Sequence, residues 1–106
     1  MWQRLLFTPH GRRTALTRFF STANQKPFQK VLIANRGEIV QRVVRTCNAL
    51  DIASVAVYST ADARAPFVQE AAEKVCLGPP ASNQSYMNVE KVLQAIRQTG
   101  AQAVHP

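Results

Sequence analysis

V-L-I-A-N-R-G-E-I-V-Q-R-V-V, Val31 to Val44, decides the fold of this chain. Val31-Leu32-Ile33-Ala34 is a short, continuous apolar run, the pattern of a strand covered on both faces in a parallel sheet. After the polar turn Asn35-Arg36-Gly37, the apolar residues Ile39, Val40, Val43, Val44, Cys47 and Leu50 recur at helical spacing, with Gln41, Arg42, Arg45 and Asn48 off the stripe. Valines are indifferent helix formers, but the spacing outweighs propensity. A strand that turns sharply into a helix is where many nucleotide-binding proteins cradle a phosphate.

The same alternation continues outward. Ala53 to Ser59 reads as a second strand, ended by the polar turn Thr60-Ala61-Asp62. Pro66 can open a short helix over Phe67 to Glu73, because proline at the first helical position gives up no hydrogen bond. Val75-Cys76-Leu77 is a third strand, closed by Gly78-Pro79-Pro80. Asn88 suits a helix N-cap, Val89, Val92, Leu93 and Ile96 mark one helical face, Gly100 is a stop, and Ala101 to Val104 is a fourth strand. Four strands with three intervening helices predict an α/β fold: a Rossmann-like, parallel, right-handed half-domain with helices on both faces. As read, the sheet ends at His105-Pro106 without a covering helix, so the expectation is a fragment truncated after its fourth strand.

Charge is distributed unevenly along the 106 residues. Residues 1–26 carry five basic side chains (Arg4, Arg12, Arg13, Arg18, Lys26) and no acid, whereas Pro27 onward carries eight basic and six acidic residues, so most of the +7 belongs to the leader. An acid-free, Arg-bearing leader with Trp2, Leu5 and Leu6 and no unbroken apolar core has the composition of a mitochondrial transit peptide. Arg18-Phe19-Phe20-Ser21 suits cleavage after Phe20, with a linker to residue 26. A disordered basic tail or a nucleic-acid arm is the competing reading, disfavoured by the paired aromatics. No run approaches the roughly 18 apolar residues of a membrane span. Residues 27–106 have room for one modest core. Cys47 and Cys76, each in an apolar pattern, read as reduced core residues.

Dinucleotide cradles use three glycines so that backbone N–H groups can approach the pyrophosphate. Here the turn has Gly37 alone, and Glu38 stands where a phosphate would dock; its carboxylate is expected to satisfy the helix end, worth about 0.3–1 kcal/mol, and to repel an anion. Tyr58-Ser59 stand where an acid would grip a ribose, and a Walker lysine is missing. A dinucleotide role is therefore disfavoured. Asn35, Arg36, Gly37, Glu38 and His105 are the candidates for the crevice edge, at the carboxyl ends of the strands. Arg36 reads either as a bicarbonate or phosphate clamp or, preferably, as a tie from this turn to another domain. His105, the single histidine of the body, cannot make a metal set alone.

Six stretches in order, K-V-L-I-A-N-R-G-E-I (Lys30–Ile39), V-R-T-C (Val44–Cys47), V-A-V-Y-S (Val55–Ser59), L-G-P (Leu77–Pro79), S-Y-M-N (Ser85–Asn88) and T-G-A-Q-A-V-H-P (Thr99–Pro106), resemble the N-terminal, pre-ATP-grasp domain of biotin carboxylase, the opening unit of the biotin-dependent carboxylases. The resemblance covers the chain after the leader, and the ending leans toward the propionyl-CoA branch over the methylcrotonoyl-CoA and pyruvate branches. It implies an ATP-dependent ligase in which bicarbonate and ATP carboxylate a carrier-bound biotin, in the mitochondrial matrix. ATP, Mg²⁺ and biotin would be held by later parts of the protein, so this segment alone is expected to bind none of them and to be inactive. Implied partners are the rest of the carboxylase α-chain, the biotin carboxyl carrier domain and the carboxyltransferase β-subunit, with neither nucleic acid nor membrane. The family uses arginines matching Arg42 and Arg45 at a homodimer contact, although Ala49 replaces their usual acidic partner. Phe67 and Ala72, where histidine and aspartate are common, read as drift. From a different class, a non-catalytic dimerisation or binding module remains the alternative.

Overall fold

The computed structural model describes residues 26–106; the leader and its cleavage site lie outside the described residues. Four strands form one parallel sheet: β1 (Lys30–Ile33), β2 (Ala53–Ser59), β3 (Glu73–Gly78) and β4 (Ala103–His105), in the order β3-β2-β1-β4. The connecting helices are α1 (Glu38–Ala49), the single turn α2 (Pro66–Gln69) and α3 (Val89–Thr99).

β1 is central, pairing Leu32 with Val55 on one side and Val104 on the other. Its side chains alternate between two cores. Ile33 packs with Val40 and Val44 of α1, Ala56, and Phe67 and Val68 of α2. Leu32 faces the opposite way, into Val55, Val57, Leu77 and Ala95 of α3. Val31 joins Cys47 and Ile52 at the amino end. The expected helix-covered parallel sheet is therefore present, and the apolar run at 31–33 is continuous because each of its faces has its own core. Phe67 is buried, which suits an apolar residue at that position.

The limits of the elements differ from the sequence reading in instructive ways. β1 starts and ends one residue earlier than expected, and Ala34 N–H, just beyond it, still donates to His105 O of β4 (2.7 Å). β4 is Ala103–His105 rather than 101–104: Gln102 N–H is already paired with Lys30 O (2.9 Å), and Ala101 still closes the end of α3 on Ile96 O. α2 stops at Gln69, and Glu73, expected in that helix, opens β3. Pairing with β2 starts at Glu73↔Val55, so the ladder takes the residues that local preference left to the helix.

Both long helices are buried on narrower stripes than their periodicity suggests. In α1 the buried residues are Val40, Val44 and Cys47, while Ile39 and Leu50, at the ends of the expected stripe, are exposed. In α3 the buried residue is Ala95, flanked by Val92 and Ile96, and Val89 and Leu93 are exposed. Asn88 caps α3 as expected, its Oδ1 accepting from Lys91 N–H (3.1 Å), and Gly100 ends it at φ 73°. Cys47 is buried, and desolvation pushes its thiol pKa up. Cys76 is exposed, which corrects its assignment to the core: β3 is an edge strand, and Cys76 lies in a shallow hollow of about 190 Å³ with Lys91, Gln94 and Gln98.

Two outcomes test this packing. Leu32→Ala should destabilise the fold by about 2–5 kcal/mol, because it leaves a cavity under α3, whereas Leu50→Ala should stay within about 0.5 kcal/mol; chemical denaturation with unchanged m-values would measure both. In the native protein a thiol reagent should modify Cys76 promptly and reach Cys47 only on unfolding, as peptide mass mapping of a time course would show.

Candidate active-site rim

The carboxyl ends of the strands, where ligands bind in open α/β sheets, carry three strand-to-helix turns. After β1, Asn35 folds its Oδ1 back to accept from Arg36 N–H (2.8 Å), and Gly37 follows with φ 77°. Among the described residues, nothing beyond the adjoining backbone lies within 4 Å of where a Gly37 Cβ would stand. The positive φ alone therefore explains this glycine. His105 ends β4 beside this turn, tied to β1 by the Ala34–His105 backbone bond, and its Nδ1 lies 3.0 Å from Pro106 O.

Glu38 does not do what its position suggested. It begins α1, but no side chain caps this helix end. Its carboxylate extends into solvent instead, 3.8 Å from Arg42 Nε one turn along. The i,i+4 spacing favours this outward pair, which at such exposure is worth little. The acid still complements the helix dipole, yet it does not fill the amide end as expected. Arg42 and Arg45 are both exposed on α1, as read, and Arg42 is the one engaged with Glu38.

Arg36 is the organising residue of the rim. Both oxygens of Asp62 contact its Nη2, at 2.9 Å and 2.7 Å, and its guanidinium lies 5.2 Å from the Tyr86 ring centroid. Tyr86 Oη donates to Asp62 Oδ2 (2.6 Å) and accepts from Ser59 N–H (3.0 Å). Arg36 thus joins the turn after β1 to the turn after β2 and to Tyr86, three residues before α3. These contacts lie within the domain, between residues 36 and 86.

The electrostatics follow from this geometry. The Tyr86 hydroxyl, and then Arg36, hold the Asp62 carboxyl below the usual carboxylate range against a desolvation that opposes them. Burial, and then the Asp62 carboxylate, push the Tyr86 phenol up. Asp62, above all by its hydrogen bond, raises Arg36 further. Asp62 is therefore charged and Tyr86 neutral near neutral pH, and Tyr86 is the donor between them. Only 14% of the Asp62 side chain is exposed, against 57% of Arg36.

Asp62 and Tyr86 are the rim residues that sequence reasoning missed. Asp62 looked like part of a polar turn, and Tyr86 stood among turn residues before a helix. An aspartate three residues beyond a β-strand was the available signal, but its partner lies 24 residues away in sequence. Of the crevice candidates, the structure brings Asn35, Arg36, Gly37 and His105 to one edge and turns the Glu38 side chain aside. Among the described residues no three His, Cys, Asp or Glu side chains cluster as a metal set, and Gly37 is the single glycine of the leading turn.

The sequence matches the family model for the biotin carboxylase N-terminal domain over residues 27–106. It is 58% identical over 79 residues to a propionyl-CoA carboxylase alpha chain of Ruegeria pomeroyi, covering 74% of this chain and 12% of that protein. To the human mitochondrial propionyl-CoA carboxylase alpha chain it is 49% identical over 83 residues, covering 78% of this chain and 11% of that one. Among solved structures, the Kluyveromyces lactis urea carboxylase superposes with a TM-score of 0.74 at 42% identity, covering 76% of this chain and 7% of that one. The chain spans about an eighth of the length of the curated propionyl-CoA carboxylase relatives. With four parallel strands in the order β3-β2-β1-β4 and the match unbroken from residue 27 to 106, this chain belongs to the biotin carboxylase N-terminal domain family.

Proposed function

We propose that this chain is the opening segment of an ATP-dependent biotin carboxylase serving an acyl-CoA carboxylase, with propionyl-CoA as the eventual acceptor. The observation that carries this reading is the continuous family match over residues 27–106, together with 49–58% identity to propionyl-CoA carboxylase alpha chains. In such an enzyme bicarbonate is activated with ATP and its carboxyl group passes to a carrier-bound biotin. When bound, ATP with Mg²⁺ supplies the phosphoryl group and the charge neutralisation that this activation needs. Neither the metal nor the nucleotide is assigned to residues 27–106, whose rim lacks a ligand set and a glycine cradle for them.

The role of this segment is positional. Its parallel sheet presents Asn35, Arg36, Gly37 and His105 along one edge of the crevice, with the Arg36–Asp62–Tyr86 link keeping neighbouring turns in register. Partners on this reading are the rest of the α-chain, the biotin carboxyl carrier domain and a carboxyltransferase β-subunit. Exposed Arg42 and Arg45 on α1 support a homodimer contact through that helix. The basic leader supports import into the mitochondrial matrix with a mature start at Ser21, in line with the mitochondrial relatives. Peptide sequencing of the mature amino terminus tests that start.

A chimera tests the enzymatic reading. Residues 27–106 placed in the Ruegeria pomeroyi alpha chain in place of its own opening segment should preserve biotin- and bicarbonate-dependent ADP release, while the 106-residue chain alone should show none. A chimera that folds and loads nucleotide yet forms no carboxybiotin would overturn the assignment.

A further inference from the structure

Tyr86 reaches Asp62 and Ser59 from the loop 79–88, between β3 and α3. That loop has little apolar anchorage: residues 79–84 are exposed, and Ser85 is its one buried residue. Its own bonds shape it. The Ser85 hydroxyl donates to Ala81 O (2.9 Å), Met87 N–H to Ser82 O (2.8 Å) and Asn88 N–H to Ser85 O (3.0 Å). None of these fixes the loop to the sheet. Lys91, in the first turn of α3, does: its Nζ donates to Gln84 O (2.7 Å) and lies against the end of β3 at Gly78. A Cβ on Gly78 would stand 2.7 Å from that Nζ and 3.2 Å from Gln84 O, so the ammonium fills the space of the missing side chain. Gly78 also has φ 129°, a conformation that suits glycine. It pairs across the ladder with Ser59, whose N–H donates to Tyr86 Oη. The contacts therefore close a ring from Gly78 to Ser59, Tyr86, Gln84 and Lys91, and back to Gly78.

We propose that Lys91 is a positioning residue of the rim: by fixing Gln84 O against the end of β3 it sets where the loop delivers Tyr86, and through Tyr86 and Asp62 it sets the orientation of Arg36. Gly78 is the residue that makes room for it. Among the described residues Lys91 forms no ion pair, and its ammonium bonds to none of Tyr86, Asp62 and Arg36. Its influence on them must pass through the loop or through the field of its charge, and the two routes differ in sign. Removing a nearby cation raises the pKa of both the Asp62 carboxyl and the Tyr86 phenol, since each titrates to an anion. Loosening the Tyr86–Asp62 hydrogen bond raises the carboxyl but lowers the phenol, because that bond holds the first down and pushes the second up. That this rim borders a carboxylation site rests on the reading proposed above, whereas the test makes no use of that activity. A failed chimera and a failed titration are thus separate results.

The test is nuclear magnetic resonance on Lys91→Met in the 106-residue chain. A pH titration should show the Asp62 carboxyl moved up and the Tyr86 phenol moved down relative to the native chain. At neutral pH the Ser59 amide and the Arg36 Nε–H signals should move toward the positions they take in Tyr86→Phe, which marks complete loss of the bond. Gly78→Ala keeps every charge yet displaces the ammonium, so it should shift all four signals in the same directions, and adding Lys91→Met to it should change little further. Lys74→Met, which removes an exposed charge from the same strand β3, should leave them in place. Should Gly78→Ala lose its amide dispersion, Lys91→Met decides alone, and where unfolding cuts a titration short the two neutral-pH signals decide. A carboxyl and a phenol that rise together, or Ser59 and Arg36 signals that stay at their native positions in Lys91→Met, would each overturn the proposal.

Discussion

Burial of β1 on both faces is the constraint on which the rest of the domain depends. Val31, Leu32 and Ile33 alternate between two cores, one beneath α1 and α2 and one beneath α3, so neither layer can move without exposing apolar surface of the same strand. Because β1 is also paired on both sides, its carboxyl end is a fixed point against which the turns after β2 and before α3 are placed. The polar chemistry of the rim sits on that fixed point.

The rim uses little energy for much orientation. Arg36 is largely exposed, so its ion pair with Asp62 contributes modestly to stability. What the link supplies is geometry: a largely buried carboxylate that accepts hydrogen bonds from Arg36 and Tyr86, a tyrosine bonded on both sides of its oxygen, and a guanidinium stacked above it. This suits a family in which the N-terminal domain is a small part of a much longer protein. A scaffold of this kind is useful when it holds side chains still at an edge shared with other segments.

Much of the fold was legible because its cause is local. Asn88 as a cap and Gly100 as a stop depend on residues within one turn, and β2 was read to its exact limits because Val55, Ala56 and Val57 form an apolar run bounded by polar residues. The misreadings share a different cause. Ile39, Leu50, Val89 and Leu93 have helical spacing yet remain exposed, because a helix laid on a sheet buries only the stripe that the sheet reaches. Cys76 sits in an apolar stretch, but being on an edge strand cannot be read from neighbours in sequence. Glu38 was placed correctly in the first turn and assigned the wrong partner, since Arg42 competes for it from the following turn.

The sequence by itself determined the alternation of strands and helices, the position of the leading turn, the caps and the family, since each rests on residue type and short-range spacing. Only the tertiary structure decided that Arg36 meets Asp62 and Tyr86, 26 and 50 residues further along, and that Asp62 engages one nitrogen instead of two. Parallel pairing brings the ends of successive strands to one edge, so side chains remote in the chain become neighbours there. Which of them touch is settled by register and by competition for the same lone pairs, and no periodicity in the chain encodes either.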